Sequence, residues 1–430
     1  MRGAKAMEVL YRACAGLDVH KKTVVACVLA VGLDGAVRKE VRTFGTMTRE
    51  LEALAAWLAG QQVEQVAMES TGVYWWPVWN ILEEQGLALL LVHPQHMRQV
   101  PGHKTDVGDS EWLADLCRHG LLAASFIPPG AIRELRELTR MRKTLVQERT
   151  AMVNRLQKTL ESAGIKLASV ASDVLGVSGR HMVEALVAGE ADPEALADLA
   201  RRKLRGKLAV LREALTGRVK PHHRLLLEIC LAQIDCLEAQ IGKLDTEVAR
   251  RVAPFQHQID LLVSISGIRW LTAVGLLAEL GPDLTRFASA GHLASWAGVC
   301  PGNHESAGKR RGGTTTRGNV WLRGLLGEAA WAAVRVKGSA CRARFYRIAR
   351  RRGTPKALVA VMHHLLAVIY HVLTEDTPYR EDGPDYYKPA DAERQARAAL
   401  RTLQKLGYIV QATKPDVVPP QQALPPEEAA

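Results

Sequence analysis

No two cysteines stand at the C-x-x-C spacing of a zinc site. The seven are scattered as Cys14, Cys27, Cys117, Cys230, Cys236, Cys300 and Cys341. Neither a zinc centre nor a disulfide framework is indicated, and reduced thiols in a cytoplasm are the expectation. The start, MRGAKAMEVLYRACAG, lacks the long apolar centre of a signal peptide. The most apolar late stretch, residues 357–373, contains His363, His364 and His371 and reads as too short and too polar to span a bilayer, so no membrane partner is expected. No internal repeat is visible. Acids are missing from one segment. Between Lys309 and Lys356, fourteen Lys/Arg face one acid, Glu328, a net +13 against +12 for the whole chain. A basic block is ordinarily a solvated face, but an excess concentrated in one segment favours a polyanionic partner.

What is present suits two or three domains: 430 residues, 47% hydrophobic. Residues 1–127 alternate strand and helix. Residues 23–31 are rich in β-branched side chains and end at the turn signal Gly32-Leu33-Asp34-Gly35, from which residues 37–44 can pair back. Helices are expected over 48–59, 75–85 and 106–119, with short buried strands at 65–68 and 87–92. Ile127-Pro128-Pro129 closes this α/β pattern.

From residue 131 to about 251 the signal is helical. Ile132, Leu135, Leu138, Met141, Leu145, Met152, Val153, Leu156 and Leu160 recur mostly at three or four. Ile234, Leu237, Ile241, Leu244 and Val248 form a short heptad seam. Two core helices of a bundle and an antiparallel dimerising arm both fit. Short helices between them are expected to break at Gly176, Gly179, Pro193 and Pro221. After Pro254, LLVSISGIRWLTAVGLLAEL reads as a helix-hairpin-helix, whose turn presents backbone N–H groups to a phosphate. A Gly-, Ser- and Thr-rich basic stretch and a helical block, residues 320–373, follow. One helix is expected over 390–406, and disorder over the last fifteen or so residues.

Four carboxylates stand out. Asp18 lies early in the first strand, Glu69 ends the run EQVAMES, and Asp106 and Asp109 open a helix in HKTDVGDSEWLADL. Acids near a core are costly unless paired or bound to metal. Phosphodiester chemistry needs charge stabilisation at phosphorus, which carboxylate-held Mg²⁺ supplies. Asp106 and Asp109, three apart, share a helix face. Capping and turn roles explain each acid taken alone, whereas the set in an α/β domain ahead of a basic half favours a metal site. Spacing does not exclude Glu111 or Asp115.

Ser306 in PGNHESAGKR lies among Gly302, Gly308 and Gly312, with Lys309, Arg310 and Arg311 following. A serine nucleophile needs activation by a base or a metal. His304, Glu305 and the carboxylate site are candidates. On residue chemistry alone an ordinary loop serine is the simpler reading, and Ser264, Ser266, Ser289 and Ser295 are equally eligible.

Taken together, AGLDVHKKT, VAMESTGVYWWPVWNILEEQG, LVHPQHMRQVPGHKTDVGDSEWLADLCRHGLL and ASWAGVCPGNHESAGKRRGGTTTRGNVWLR resemble the insertion-sequence transposases of the IS-one-ten family over about residues 14–373. The resemblance implies a multidomain α/β plus α chain. An N-terminal RuvC-like (RNase H fold) DEDD domain would occupy 14–128 and a long helical or coiled-coil arm 131–251. A mostly helical C-terminal transposase domain with the catalytic serine and the helix-hairpin-helix-like segment would occupy 254–375, and a partly disordered extension 376–430. It further implies that Asp18, Glu69, Asp106 and Asp109 hold Mg²⁺ (or Mn²⁺) and that Ser306 is the nucleophile. Strand cleavage and exchange would pass through a phosphoserine link, guided by a structured bridge RNA that pairs with donor and target DNA.

A homodimer assembling into a tetramer, at work on the nucleoid of a prokaryotic cytoplasm, completes the implication. Arg269 (where such turns often place a second Gly), Lys309, Arg310, Arg311, Arg317, Arg323, Arg342, Arg344 and Arg347 are the candidate nucleic-acid contacts. Phe345 and Tyr346 are equally base-stacking or core residues. The rival expectations are a RuvC-like nuclease with water as nucleophile and a non-catalytic RNA/DNA-binding relative.

Overall fold

The computed structural model describes residues 9–32, 34–70, 72–92, 106–301, 304–306, 309–312, 314–316, 318–381, 383 and 388–410. The chain divides into two compact units, Met1–Pro128 and Pro129–Ala430.

Three antiparallel strands open the first unit: β1 (Ala13–Val19), β2 (Thr23–Val31) and β3 (Val37–Gly45). β2 is covered on both sides and is nearly all apolar. β3 is a sheet edge, and its exposed Arg38, Lys39 and Arg42 discourage pairing with another chain. After α1 (Thr48–Gly60) the chain returns as β4 (Gln65–Glu69), parallel to β1. After α2 (Trp75–Glu84) it returns as β5 (Leu89–Val92), parallel to β4. The sheet order is β3-β2-β1-β4-β5, so β1 is central. α3 (Asp106–Arg118) completes the unit.

Alternation along the strands sorts two faces. Ala15, Leu17 and Val19 join Val66, Met68 and the buried stripes of α1 and α2 in one core. Cys14, Cys27, Ala67 and Val92 pack under Leu113, Ala114 and Cys117 of α3 on the other. Gly16 is the reason α3 lies so close. A Cβ at that position would sit 2.2 Å from the Ser110 carbonyl oxygen and 2.4 Å from the Ala114 nitrogen.

The second unit is helical around two cores. α4 (Gly130–Ser162) runs into a cap of α5 (Leu167–Val170), α6 (Val177–Ala188), α7 (Pro193–Asp198), a 3-10 turn over Arg202–Lys207, and α8 (Leu208–Leu215). α9 (Pro221–Val252) returns antiparallel to α4, with Arg149–Glu238, Arg142–Asp245 and Arg251–Glu134 paired in descending register. Gly179 does not break a helix as expected. It lies inside α6, where a Cβ would meet the Val174 carbonyl oxygen at 2.3 Å.

The heptad seam serves both cores. Ile234 belongs to the cap core and Val248 to the second core, while Ile241 and Leu244 between them are half-buried.

That second core gathers α10 (Gln256–Val263), α11 (Trp270–Leu280), α12 (Ala290–Trp296), α13 (Val320–Arg335), α14 (Ala340–Arg352) and α15 (Thr354–Thr374). A two-stranded hairpin, β6 (His304–Ser306) and β7 (Lys309–Gly312), lies between α12 and α13. The apolar stretch near residue 360 is longer than the sequence suggested. α15 has 21 residues and by length and composition is apolar enough to cross a membrane. Its Val361, Leu365, Leu366 and Ile369 are buried in the core. α16 (Lys388–Lys405) follows. The disorder expected over the last fifteen or so residues falls within 411–430, outside the described set.

Candidate functional site

In the first unit, strand register carries the acids to one place. Leu17 pairs with Met68, so Asp18 and Glu69 are the next residues along two neighbouring parallel strands. Both share parity with the positions that face α3, Gly16 and Ala67. α3 runs antiparallel to β1. The Leu10 amide donates to the Arg118 carbonyl (2.9 Å), Gly16 abuts Ser110, and the Asp18 end of the strand therefore meets the first turn of α3, where Asp106 and Asp109 stand. Asp109 is exposed, and the side chain of Asp106 lies outside the described residues.

Glu111 and Asp115 are engaged elsewhere. Lys39 Nζ donates to Glu111 Oε1 at 2.9 Å, and Asp115 is 3.7 Å from the His119 ring. Among the described residues no three ligating side chains are gathered into a metal centre. The donor set is oxygen only, which fits a hard divalent cation rather than a soft one.

His20 escaped the sequence reading. Its Nε2 lies 3.1 Å from Asp18 Oδ2, just past the strand end, where a partner can fix the carboxylate's orientation. Its signal was present in the D-V-H spacing.

In the second unit, Ser306 is in register with Lys309 and Glu305 with Arg310 across the hairpin. The side chains of Ser306, Lys309, Arg310 and Arg311 lie outside the described residues, as does Arg317 altogether. The base of the segment is tightly closed. Gly298 has φ +69°, a Cβ there would lie 2.7 Å from the Gly318 nitrogen, and one at Gly318 would lie 2.3 Å from the Ala297 carbonyl oxygen. Pro301 and Thr315 bridge just above.

Behind this base sits a buried charge network that sequence reasoning missed entirely. The Glu279 carboxylate, 2% exposed, accepts from Arg140 Nε at 2.7 Å, from Arg140 Nη2 at 2.8 Å and from Asn319 Nδ2 at 2.6 Å. Asn319 also caps α13, its Oδ1 accepting from the Trp321 and Leu322 amides. Arg136 donates to the Ala278 and Glu279 carbonyls at the end of α11, and burial pushes its guanidinium down to about 10 while Glu279 opposes the shift.

Three of the alternative serines have structural duties. Ser264 Oγ donates to the Leu261 carbonyl and accepts from the Tyr379 amide, Ser266 donates to Glu381, and Ser289 caps α12. Ser295 is exposed.

The turn between α10 and α11, where the sequence suggested a helix-hairpin-helix, uses its glycine for packing. Gly267, at φ +92°, faces Ala333 of α13, whose nitrogen would be 2.5 Å from an added Cβ. Arg269 at the head of α11 is exposed. Arg323 is half-buried, and Arg342 donates to the Val334 carbonyl while lying 5.2 Å over the Tyr346 ring. Arg344 and Arg347 are half-buried. Phe345 is core, packed edge-on to Tyr346 and tilted against Trp331, which removes it from base stacking. The open end of α14 is instead Arg350, Arg351 and Arg352.

A DEDD-type family model described as "Transposase" matches residues 15–165, and one described as "Transposase IS116/IS110/IS902 family" matches residues 259–347. A probable family 20 transposase of Pseudomonas aeruginosa is 25% identical over 73% of this chain and 85% of its own length. The transposase for insertion sequence element IS1111A of Coxiella burnetii is 26% identical over 75% of this chain and 81% of its own. The structure of Thermus thermophilus RuvC in complex with a Holliday junction substrate matches at 14% identity and TM-score 0.21, covering 26% of this chain and 99% of that one.

The molecule is a DNA transposase/recombinase, an enzyme with a mixed α/β first unit that falls within the match to the DEDD-type transposase model, and a helical second unit. It belongs to the IS110 group of transposases, the IS-one-ten family.

Proposed function

We propose that this transposase cuts and rejoins DNA through a serine–phosphate link, with the acids of the first unit stabilising charge at the scissile phosphate. The observation that carries the reading is the convergence of Asp18, Glu69 and the first turn of α3 on one face, at one end of the central strands. Asp18, Glu69, Asp106 and Asp109 are the residues that would hold Mg²⁺ or Mn²⁺. The cation would supply Lewis-acid polarisation of the phosphate oxygens.

Ser306 Oγ forms a bond to phosphorus as the P–O3′ bond breaks. The proton lost from Oγ is balanced by the one gained at the departing 3′ oxygen, which ends as a free hydroxyl. In the second step a 3′-hydroxyl attacks the partner strand's phosphoserine and returns Ser306 to its starting form. The number of phosphodiester-type bonds is conserved, so no nucleotide triphosphate is consumed. His20 keeps Asp18 oriented throughout. The Asn319–Glu279–Arg140 network and the Gly298–Gly318 crossing hold the base from which the serine hairpin projects.

The reading includes a bridge RNA that pairs with donor and target DNA, leaving the protein to grip backbone and shape. It also includes a homodimer that assembles into a tetramer, the four-part division at residues 14–128, 131–251, 254–375 and 376–430, and nucleic-acid contacts by the basic residues from Arg269 to Arg347. The concentration of charge between Lys309 and Lys356 supports these contacts.

Trapping tests the mechanism. The wild-type chain on nicked or suicide DNA substrate is expected to give a covalent protein–DNA adduct that Ser306→Ala abolishes. Full strand cleavage by Ser306→Ala would instead establish water as the nucleophile. Asp18→Ala is expected to lower cleavage by at least about 100-fold, the scale of losing one electrostatic contributor to the transition state.

A further inference from the structure

We infer that the helical cap at the far end of the α4–α9 pair carries a second surface for duplex DNA, centred on Arg201, Arg202 and Lys203. The inference needs only a DNA substrate and is independent of how the strand is cut. Between residues 201 and 224 there are nine Lys/Arg and one acid, Glu213, a concentration separate from the block that begins at Lys309. Arg201, Arg202 and Lys203 are exposed and form no ion pair among the described residues.

Several of the cap's acids are turned to other work, while Asp198 and Glu213 are exposed and form no ion pair among the described residues. Glu190 accepts from the Ala191 and Asp192 amides, and Asp192 caps α7 by accepting from the Glu194 and Ala195 amides. Asp173 accepts from the Leu175 amide. Arg212 reaches Glu194 only at 3.9 Å. Arg201 and Arg202 line an open cavity of about 380 Å³ opposite Ser172, Asp173 and Gly179, wide enough to seat a sugar–phosphate unit with one acid on its rim. The cations are therefore not cancelled pair by pair, and their field reaches solvent.

The chemistry selects duplex over single strand. From residue 130 to 252 there is no Phe, Tyr or Trp. Single-stranded nucleic acid is held largely by stacking bases on such rings. Guanidinium and ammonium groups on a helical surface grip phosphates without reading bases, and a guanidinium can grip one phosphate with two hydrogen bonds. The surface fits the regularly spaced phosphates of double-stranded DNA of any sequence.

The test is the salt dependence of binding by the full chain to an arbitrary duplex of about 30 base pairs, followed by fluorescence anisotropy between about 50 and 200 mM salt. R201A/R202A/K203A is expected to bind at least about ten-fold more weakly at the low end. Its slope of log K against log salt should be smaller by about two to three, close to one per lost phosphate contact. All three side chains are exposed, so the thermal unfolding midpoint should not move. Ser306→Ala, run alongside, should keep the wild-type slope whichever nucleophile the enzyme uses. An unchanged slope in the triple variant, or no duplex binding by the wild type, overturns the inference. So does a loss confined to a structured RNA probe, which would reassign the surface to RNA.

Discussion

At the scale of single residues, Glu279 shows what a buried charge requires. Its carboxylate is tolerated because Arg140 and Asn319 occupy its lone pairs and Arg136 stands beside it. Removing one member leaves the others uncompensated in a dry site. Glu279→Ala is expected to cost about 3–5 kcal/mol of folding free energy, read from the urea midpoint. Asn319→Ser keeps an α13 cap but loses the bond to a charged acceptor. It is expected to cost about 1.5–3 kcal/mol and to slow adduct formation more than it weakens DNA binding. Asp18 and Glu69 were legible in the sequence because an acid at the end of an apolar run violates the local pattern. Glu279 was not, because Arg140 lies 139 residues away and only folding brings them together. His20 was legible in principle, two residues from the acid it steadies. The thiols follow burial. Cys14 is pushed up by its hydrogen bond with Cys117 and by burial, and Cys27 is pushed up to about 11 by burial, whereas Cys236 is exposed. Native-state alkylation followed by mass mapping should modify Cys236 first and leave Cys14 and Cys27 unmodified until unfolding.

At the scale of elements, close backbone approach decides more than propensity does. α3 reaches the sheet only because Gly16 has no side chain, and that contact sets where Asp109 stands relative to Asp18. Gly16→Ala drives a methyl group into the helix backbone. It is expected to destabilise the first unit by about 2–3 kcal/mol and to reduce cleavage, measured together on one preparation. β2 to β5 and the helices of the first unit were readable from periodicity, within about two residues at their ends, whereas β1, which places Asp18 near a strand's end and not early in one, and the β6–β7 hairpin were not. Nor was the role of the glycine between α10 and α11. The pattern around Gly267 suggested a phosphate-binding turn, but not that the glycine also makes room for Ala333, a partner sixty-six positions on. α15 was misjudged from its histidines, because half-buried His363 and His364 leave its inner stripe fully apolar.

At the scale of the whole molecule, each unit has cores of its own. Calorimetry should therefore resolve more than one unfolding transition, with Gly16→Ala lowering one and Glu279→Ala another. The α/β-then-helical order was plain from the alternation of strand and helix signals before Pro128. That α4 and α9 each feed two separate cores was hidden, because one continuous periodicity serves both.

That shared pair has a metric consequence. Leu135 is embedded in one core and Leu160 in the other. Twenty-five residues of α-helix separate them, about 37 Å at 1.5 Å per residue. The same length of duplex is about eleven base pairs at 3.4 Å each, close to one helical turn. A duplex lying along the pair would show the same groove to both ends, which makes the helices a gauge of roughly one turn of DNA.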